Sequence, residues 1–425
     1  MKTTYLLLCL LGIGSVSGAG QTKQPQKIGD FIESTSYNEH RRNATRSLQY
    51  TPDGDDFVCI NGKNRFTRAL YGSHTAFRLE TSDRPVFAAY TKKNPKHICF
   101  KLQTSGGTVA LDSTEHCESR YTAGRRSYNL FHPSFEGGNL SIATLALPDK
   151  EGAIWQFNAR NFKGSNPILL ASISEIRNSK LNRNGDMGAD PADSFEAPLQ
   201  PQQLQSCPAQ IDGTLYILLE NQELRTLTTA EGETLFKKAE AARSETASRI
   251  RIETPDPYFN TLGGTLAMAA DGIWDGEVWL HGAIGWRMPL SGWRAAYTGD
   301  VLGWHDRART HFNAYAASQV TEVPNTLPHP AQDSALHLAR SVKKWGTPQY
   351  SNGYICRNPH RNNQMHHYDM NLCCIDELLW HFKWTGDLDY VRQMWPVITR
   401  HLAWEKLNYD PDNDGLYDAY ACIWA

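Results

Sequence analysis

The spacing of apolar residues changes once along this chain, near residue 250, and this change constrains the fold more than any other feature. Between about 51 and 178, short apolar runs alternate with turn residues, and the Asn61-Gly62 pair that follows the run at 57–60 is a hairpin signal. Several strands at this spacing are typical of a β-sandwich. After residue 250, apolar residues recur at helical spacing instead. The sequence therefore predicts a multidomain β + α protein, an N-terminal β-sandwich followed by helices.

Composition and turn residues divide the chain further. Thr229 and Glu231 open a helical pattern after the last predicted strand, at 214–219. Gly386 and Asp387 are residue types that end one helix and cap the next, so they predict a helical hairpin. The helices expected after residue 250 are 257–271, 299–318, 333–345, 371–385 and 388–408. The predicted domains are a signal peptide (1–20), a flexible N-terminus (21–50), a β-sandwich (51–225, with a long loop at 179–209), a linker helix (226–250) and a helical domain (251–425).

The first twenty residues have the features of a secretion signal. Lys2 supplies a positive charge, 5–13 is an apolar run, and 15–20 is rich in small residues. The apolar run is shorter than the roughly 20 residues that a membrane span requires. We therefore expect a secreted or periplasmic protein without a membrane span. Once the signal is removed, eight cysteines remain; Cys59, Cys99, Cys117 and Cys207 could pair in disulfides.

Charge and aromatic content bear on the kind of partner. The 43 basic and 45 acidic residues give a net charge of −2, which provides no field for nucleic acid or anionic lipid. The chain contains 12 Trp and 18 Tyr. Flat rings stack on the C–H faces of sugars, although aromatic residues also fill cores. The composition favours a carbohydrate partner and says nothing about the oligomeric state.

The segment 274–294 is the densest in residues that could perform chemistry. Glycoside hydrolysis needs one carboxyl group to protonate the leaving oxygen and another to attack or to activate water. Glu277 and Asp275 are candidates for such groups, or else cap a helix or pair with arginine. We expect the surrounding tryptophans to exclude water from Glu277, and Glu277 to face a cleft shared with 410–418. The candidate substrate-binding residues, which could instead pack or tie loops together, are Trp286, Arg287, Trp293 and Arg294.

Two further polar segments could face a substrate. Asp300 directly precedes a predicted helix, so it is expected to be an N-cap, with a catalytic role as the weaker alternative. His366, His367 and Tyr368 lie in a polar loop before the helix at 371 and could bind sugar hydroxyls. Together with His360, these two histidines make three histidines in eight residues, which raises a metal site, but their spacing matches no common zinc pattern.

The segment 410–418 has the start of a calcium loop. Asp410, Asp412 and Asp414 alternate and precede Gly415, as in loops whose carboxylates bind Ca²⁺. Ala421 stands where such a loop has its bidentate glutamate. The alternatives are that Asp414 or Asp418 faces the substrate, or that the segment is a solvated acidic turn. Calcium is the one cofactor that the sequence suggests.

With these residues in view, the chain resembles a six-hairpin glycosidase-like family, an uncharacterised exported group of polysaccharide-degrading gut bacteria. The resemblance rests on segments 57–90, 274–300 and 410–418. More distantly, Gly292-Trp293 through Gly299-Asp300 is similar to the Gly-Trp-Thr-Gly-Asp loop of α-L-rhamnosidases, although here the motif is interrupted. The family implies an (α/α)6 toroid behind the β-sandwich. Twelve helices need roughly 350 residues, and about 175 follow residue 250, so we expect an incomplete, truncated toroid.

Three functions are compatible with these patterns. The first is a glycoside hydrolase acting on a polysaccharide or oligosaccharide with two carboxylates. The second is a polysaccharide lyase, in which the loop residues above would act with Arg361 and Asn371 on a uronate. The third is a non-catalytic glycan-binding or structural protein. An unsaturated product that absorbs in the ultraviolet would distinguish the lyase, and sugar binding without turnover would distinguish the third function.

Overall fold

The computed structural model describes residues 50–63, 65–91, 95–164, 166–177, 195–283, 287–292, 294–321, 352–362, 370–410 and 412–417. Several predicted features lie outside these ranges: the signal peptide, nearly all of the flexible N-terminus, half of the loop at 179–209, and the helix at 333–345. The candidate site residues outside them are Trp286, Trp293, His366, His367, Tyr368 and Asp418.

The N-terminal half consists of two antiparallel sheets, as the strand pattern predicts. The fifteen described strands are β1 (Thr51–Asp53), β2 (Asp56–Ile60), β3 (Arg68–Leu70), β4 (Arg78–Thr81), β5 (Val86–Tyr90), β6 (Lys96–Thr104), β7 (Gly107–Ala110), β8 (His116–Thr122), β9 (Arg125–Phe131), β10 (Asn139–Ala146), β11 (Gly152–Arg160), β12 (Ile168–Glu175), β13 (Gln203–Gln210), β14 (Thr214–Glu220) and β15 (Glu223–Leu227). One sheet has the order β1-β2-β8-β9-β10-β11-β14-β15. The other has the order β13-β12-β6-β5-β4-β3, and β7 also pairs with β6.

Side chains from both sheets meet in one apolar core. Burial alternates along β8 and β9, which is the pattern of strands with one face inside. At the centre, Trp155 contacts Phe87 and Phe100 edge to face, with ring centroids 5.4 and 5.6 Å apart. The sequence analysis missed β13 and treated it as part of the loop at 179–209. This strand is polar and contains Pro208, which an edge strand tolerates because one side of its backbone needs no partner strand.

A long helix follows the sandwich. This helix, α1 (Thr229–Ala247), begins with a capping box in which Thr228 and Glu231 exchange side-chain and backbone hydrogen bonds. The helix packs on the sheet at Gly232, where a Cβ atom would lie 2.2 Å from the ring of Tyr216. Only glycine allows the helix to approach the strand so closely.

The rest of the described chain is helical. The helices are α2 (Pro257–Asn260), α3 (Leu262–Gly272), α4 (Tyr297–Val301), α5 (His305–Ala316), α6 (Met370–Thr385) and α7 (Leu388–Tyr409). The single helix predicted at 299–318 is instead two helices, since Gly303 adopts a φ of 72° between α4 and α5. Helices α6 and α7 form the expected hairpin, with Gly386 at a φ of 62° and Asp387 capping α7. No helix in the described part of the chain combines the length and apolarity needed to span a membrane.

Cys59, Cys99, Cys117 and Cys207 are not joined in disulfides. Cys59 and Cys117 are buried, and Cys99 contacts the hydroxyl of Ser172 at 3.0 Å rather than another thiol. The disulfides that the sequence allows between the strands are therefore not formed. The sandwich is held by its apolar core and its sheet hydrogen bonds.

Candidate functional site

Asp275 shapes the turn that carries the main candidate residues. Trp274 and Trp279 pair as a β-bridge, and Gly276 at its tip has a φ of 101°. The Asp275 carboxylate accepts hydrogen bonds from the backbone N–H groups of Glu277 and Val278, at 3.0 and 2.8 Å. This is the geometry of an Asx-turn. Asp275 therefore holds the turn together, which is a structural role rather than a catalytic one.

Glu277 lies on the outside of this turn. Its side chain is 49% exposed, and its Oε1 atom is 2.6 Å from the Nε2 atom of His360. The tryptophans point the other way, into the core, with ring centroids 4.7 Å apart. The expected exclusion of water around Glu277 is therefore wrong, because successive side chains of the turn point to opposite sides. Its partner is an imidazole, and in the described part of the chain no hydrogen bond or ion pair joins it to the loop at 410–417.

The inner side of the turn is held by a buried histidine. The backbone N–H of Trp279 donates to Nδ1 of His311 at 3.2 Å. Burial lowers the pKa of His311 to about 3, so the ring is neutral at physiological pH and its proton is on Nε2. The ring also contacts Tyr315, with centroids 4.8 Å apart. The turn below Glu277 is thus fixed from inside.

A fully buried carboxyl group, Glu377, lies on α6 near the backbone of Arg294 and Ala296. Its side chain is 2% exposed, and burial raises its pKa to about 8. Neither oxygen has a hydrogen-bond partner of good geometry among the described residues. The backbone N–H groups of Ala296 and Arg294 lie near enough to favour the charged form, but burial outweighs them. Glu377 is therefore mostly protonated at pH 7.

Tyr315 lies in the interior beside His311, with ring centroids 4.8 Å apart. Its hydroxyl is buried and has no hydrogen-bond partner among the residues that the structure describes. Burial raises its pKa well above the ordinary value, and Asp275 and Glu377 both raise it further, while Arg357 lowers it. Strongly perturbed titratable groups are concentrated at functional sites.

Asp300 is buried between two histidines. It lies inside α4, whose N-cap is Ala296, so the expected cap role is wrong. Its Oδ1 atom is 2.7 Å from Nδ1 of His305, and Nδ1 of His381 lies 2.9 Å from the same oxygen. Asp300 accepts from both rings and joins α4, α5 and α6. The Asp300 carboxylate also fixes the tautomer of both histidines, because each ring donates to it through Nδ1. His305 is the exposed ring of the two, and His381 is buried.

The two arginines of segment 274–294 differ in role. Arg287 donates to the backbone oxygens of Gly272 and His74, at 3.1 and 3.2 Å. Burial lowers its pKa to about 10. Arg287 therefore ties the sandwich to the end of α3. This agrees with the alternative that the arginine holds loops together rather than binding a sugar. Arg294 is exposed and has a φ of 64°.

The acidic loop, defined as Asp410, Asp412 and Asp414, brings three carboxylates together. One oxygen from each lies within 4.8 Å of the others. Asp410 is buried and the other two are exposed. Such a group of oxygens suits Ca²⁺, which takes six to eight oxygen ligands. The described chain supplies three of them. No other group of histidine, cysteine and carboxylate ligands within the described ranges is arranged to hold a metal ion.

The residues proposed for a lyase are not free to act as a set. Asn371 is fully buried and exchanges two hydrogen bonds with the backbone of Ile355, at 2.7 and 3.1 Å. It therefore fixes the chain before α6 and cannot neutralise a uronate. The histidines and the tyrosine of that hypothesis lie outside the described residues.

Sequence reasoning missed Glu377 and His381, although the sequence contained a signal for them. Cys374, Glu377, Leu378 and His381 follow the spacing of one helix face. All four are buried. Polar residues in register with an apolar face predict buried polar groups, but the apolar residues alone defined that helix in the sequence analysis. His360 lies in the polar segment 358–371, but nothing in the sequence indicates its pairing with Glu277, which is 83 residues away.

Comparison with known proteins gives one family. A family model described as "Domain of unknown function (DUF4450)" matches residues 95–249. This range runs from β6 to the residues just after α1 and ends before the turn that carries Glu277. No curated protein matches the chain significantly. The chain is therefore similar to this family over much of the sandwich and the first helix.

Proposed function

We propose that this chain is a carbohydrate-active protein of the glycoside hydrolase type. The observation that carries the proposal is the pairing of Glu277 with His360 at 2.6 Å on an accessible, rigidly held turn. Glu277 is open to solvent, so a substrate can reach it. The turn below it is fixed by Asp275 and His311, and rigid support is what a catalytic group requires.

Glu277 is assigned the role of the ionised carboxylate. Hydrolysis of a glycosidic bond needs such a group to attack the sugar or to activate water. The imidazole of His360, 2.6 Å from the carboxylate, holds it in one orientation. Glu277 is therefore proposed to act as base or nucleophile, with His360 holding its orientation.

The proton donor is assigned to Glu377. A general acid needs a pKa near or above the working pH, and burial supplies this for Glu377. Because Glu377 is almost fully buried, this role requires a substrate to displace the side chains that cover it. The Glu277→Gln variant tests the role of the base or nucleophile, and the Glu377→Gln variant tests whether Glu377 holds a proton.

We also propose that the helices belong to an (α/α)6-type toroid and that the protein is exported from the cell. The antiparallel hairpin of α6 and α7 and the packing of α5 against α6 are consistent with such a toroid. So are the exposed apolar side chains of the hairpin, since helices of a larger bundle present such side chains to their neighbours; these include Trp384, Leu388 and Trp395. The signal-like residues 1–20 support a secreted or periplasmic location.

Incubation of the purified chain with a panel of plant and host polysaccharides tests this proposal. New reducing ends without ultraviolet absorption are expected from hydrolysis. Absorption from an unsaturated product would contradict the hydrolase and favour a lyase. Retention on immobilised polysaccharides without new reducing ends would instead identify a non-catalytic glycan-binding protein.

A further inference from the structure

A cavity of about 200 Å³ lies between the sandwich and the helices. It is separate from the turn that carries Glu277, which does not line it. Sandwich residues such as His74 form one side, and helical residues such as Trp304 and Arg307 form the other. Ligand sites are often found where two parts of a fold meet.

Two guanidinium groups lie against one tryptophan ring in this cavity. The Cζ atom of Arg307 is 4.3 Å from the centroid of Trp304, and that of Arg249 is 5.3 Å from it. Trp304 is buried, so its ring is a fixed support for both cations. Contacts of this kind are favourable when the ring is shielded from water.

Some of the charged side chains that line the cavity already contact a carboxylate of the protein. Arg307 binds Asp271 at 2.7 Å, and His74 lies 3.3 Å from the same oxygen. Arg243 also lines the cavity, but Glu240 holds it by two contacts of 3.1 and 2.5 Å. Arg307 therefore has a carboxylate partner in Asp271, and Arg243 shares Glu240 with Arg125.

Arg249 is different. One of its N–H groups donates to the backbone oxygen of Leu302 at 3.0 Å, and no carboxylate in the described chain pairs with it. A guanidinium has five N–H donors, so several remain available. Glu245 is the other carboxylate of the lining; it and Arg249 are both exposed, and no ion pair joins them in the described chain. The cavity thus offers one cation, Arg249, that is oriented by Leu302 and that no carboxylate contacts in the described chain.

We propose that this cavity binds the carboxylate of an acidic sugar, with Arg249 as the cation that recognises it. Guanidinium groups match the geometry of a carboxylate, which can accept two parallel N–H bonds. The volume is below the roughly 300–1,000 Å³ typical of larger ligand sites, so it suits one charged group and part of the ring that bears it. The inference rests on the proposed action on carbohydrate and narrows the substrate class to uronate-containing glycans.

Calorimetric titration of the full chain with D-glucuronic acid, D-glucose and inorganic sulfate at constant ionic strength tests this site. Glucuronic acid should bind measurably tighter than the other two. Arg249→Gln should weaken glucuronic acid at least about tenfold, as expected for losing a hydrogen bond between charged groups. Arg225→Gln, which changes an exposed arginine on β15, should leave binding unchanged.

Glucose binding as tightly as glucuronic acid, or unchanged binding to Arg249→Gln, would overturn the inference. Sulfate binding as tightly as glucuronic acid would also overturn it, since the site would then recognise a bare anion. The readout is separate from hydrolysis. A chain that binds glucuronic acid through Arg249 but cleaves nothing would retain this site and refute the hydrolase.

Discussion

The buried carboxyl group of Glu377 predicts a specific dependence of stability on pH. Its pKa rises from an ordinary value of 4.5 to about 8 in the folded chain. Between these two values the folded protein holds a proton that the unfolded chain has released. Stability therefore falls as pH rises through this window. The effect is fully present above pH 8 and absent below about pH 4.5.

The size of this effect follows from the same two values. Each unit of pKa difference corresponds to about 1.4 kcal/mol, so the free energy of unfolding should fall by about 5 kcal/mol across the window. Because the group is fully buried, little of this is lost to solvent screening. Glu377→Gln replaces the carboxyl with a neutral group of similar shape and removes the titration. A buried amide without a partner costs about 1–3 kcal/mol, and that cost is the same at every pH.

Urea denaturation of the two proteins at pH 5, 6, 7 and 8 measures this directly. The stability of Glu377→Gln relative to the parent should increase by about 1.4 kcal/mol per pH unit over most of this range. Glu223→Gln changes an exposed carboxyl on β15 and should give a constant difference. If the curves of Glu377→Gln and the parent run parallel, the carboxyl is not protonated in the folded chain and the reasoning fails.

Two further outcomes are expected. Asp300→Asn should lower the free energy of unfolding by about 2–3 kcal/mol in urea, because His305 and His381 lose a shared charged acceptor; a loss below 0.5 kcal/mol would contradict its role in joining three helices. Millimolar Ca²⁺ should raise the melting temperature of the parent, because three carboxylates that repel one another converge in the acidic loop. Asp412→Asn should abolish that increase, and an equal increase in both proteins would show that Ca²⁺ acts elsewhere.

The strands and the helical hairpin could be predicted because their causes are local. Alternating burial in β8 and β9 and the Gly386-Asp387 pair are visible within a few residues of sequence. The strand β13 and the break at Gly303 were missed for the opposite reason. A polar edge strand is defined by its partner β12, and a glycine in a helical pattern ends a helix only when the surrounding packing requires it.

The site was less predictable because its contacts span the chain. The sequence shows that the segment 274–294 is polar and aromatic, but it cannot say which of its side chains face inward. Asp275 and Glu277 are two residues apart, yet one holds the turn and the other meets His360. Desolvation, which the sequence predicts at Glu277, acts instead on Glu377, which the packing of α6 buries.

The central claim, that Glu277 performs the chemistry, is tested most directly by the turnover of Glu277→Gln on whichever polysaccharide the parent cleaves. The account predicts that kcat falls by at least about a hundredfold, the usual scale for losing a group that acts on protons or attacks the substrate. The melting temperature should change little, because the side chain is half-exposed. Glu223→Gln should keep the parent kcat. A Glu277→Gln protein that is folded and retains near-normal turnover would contradict the account.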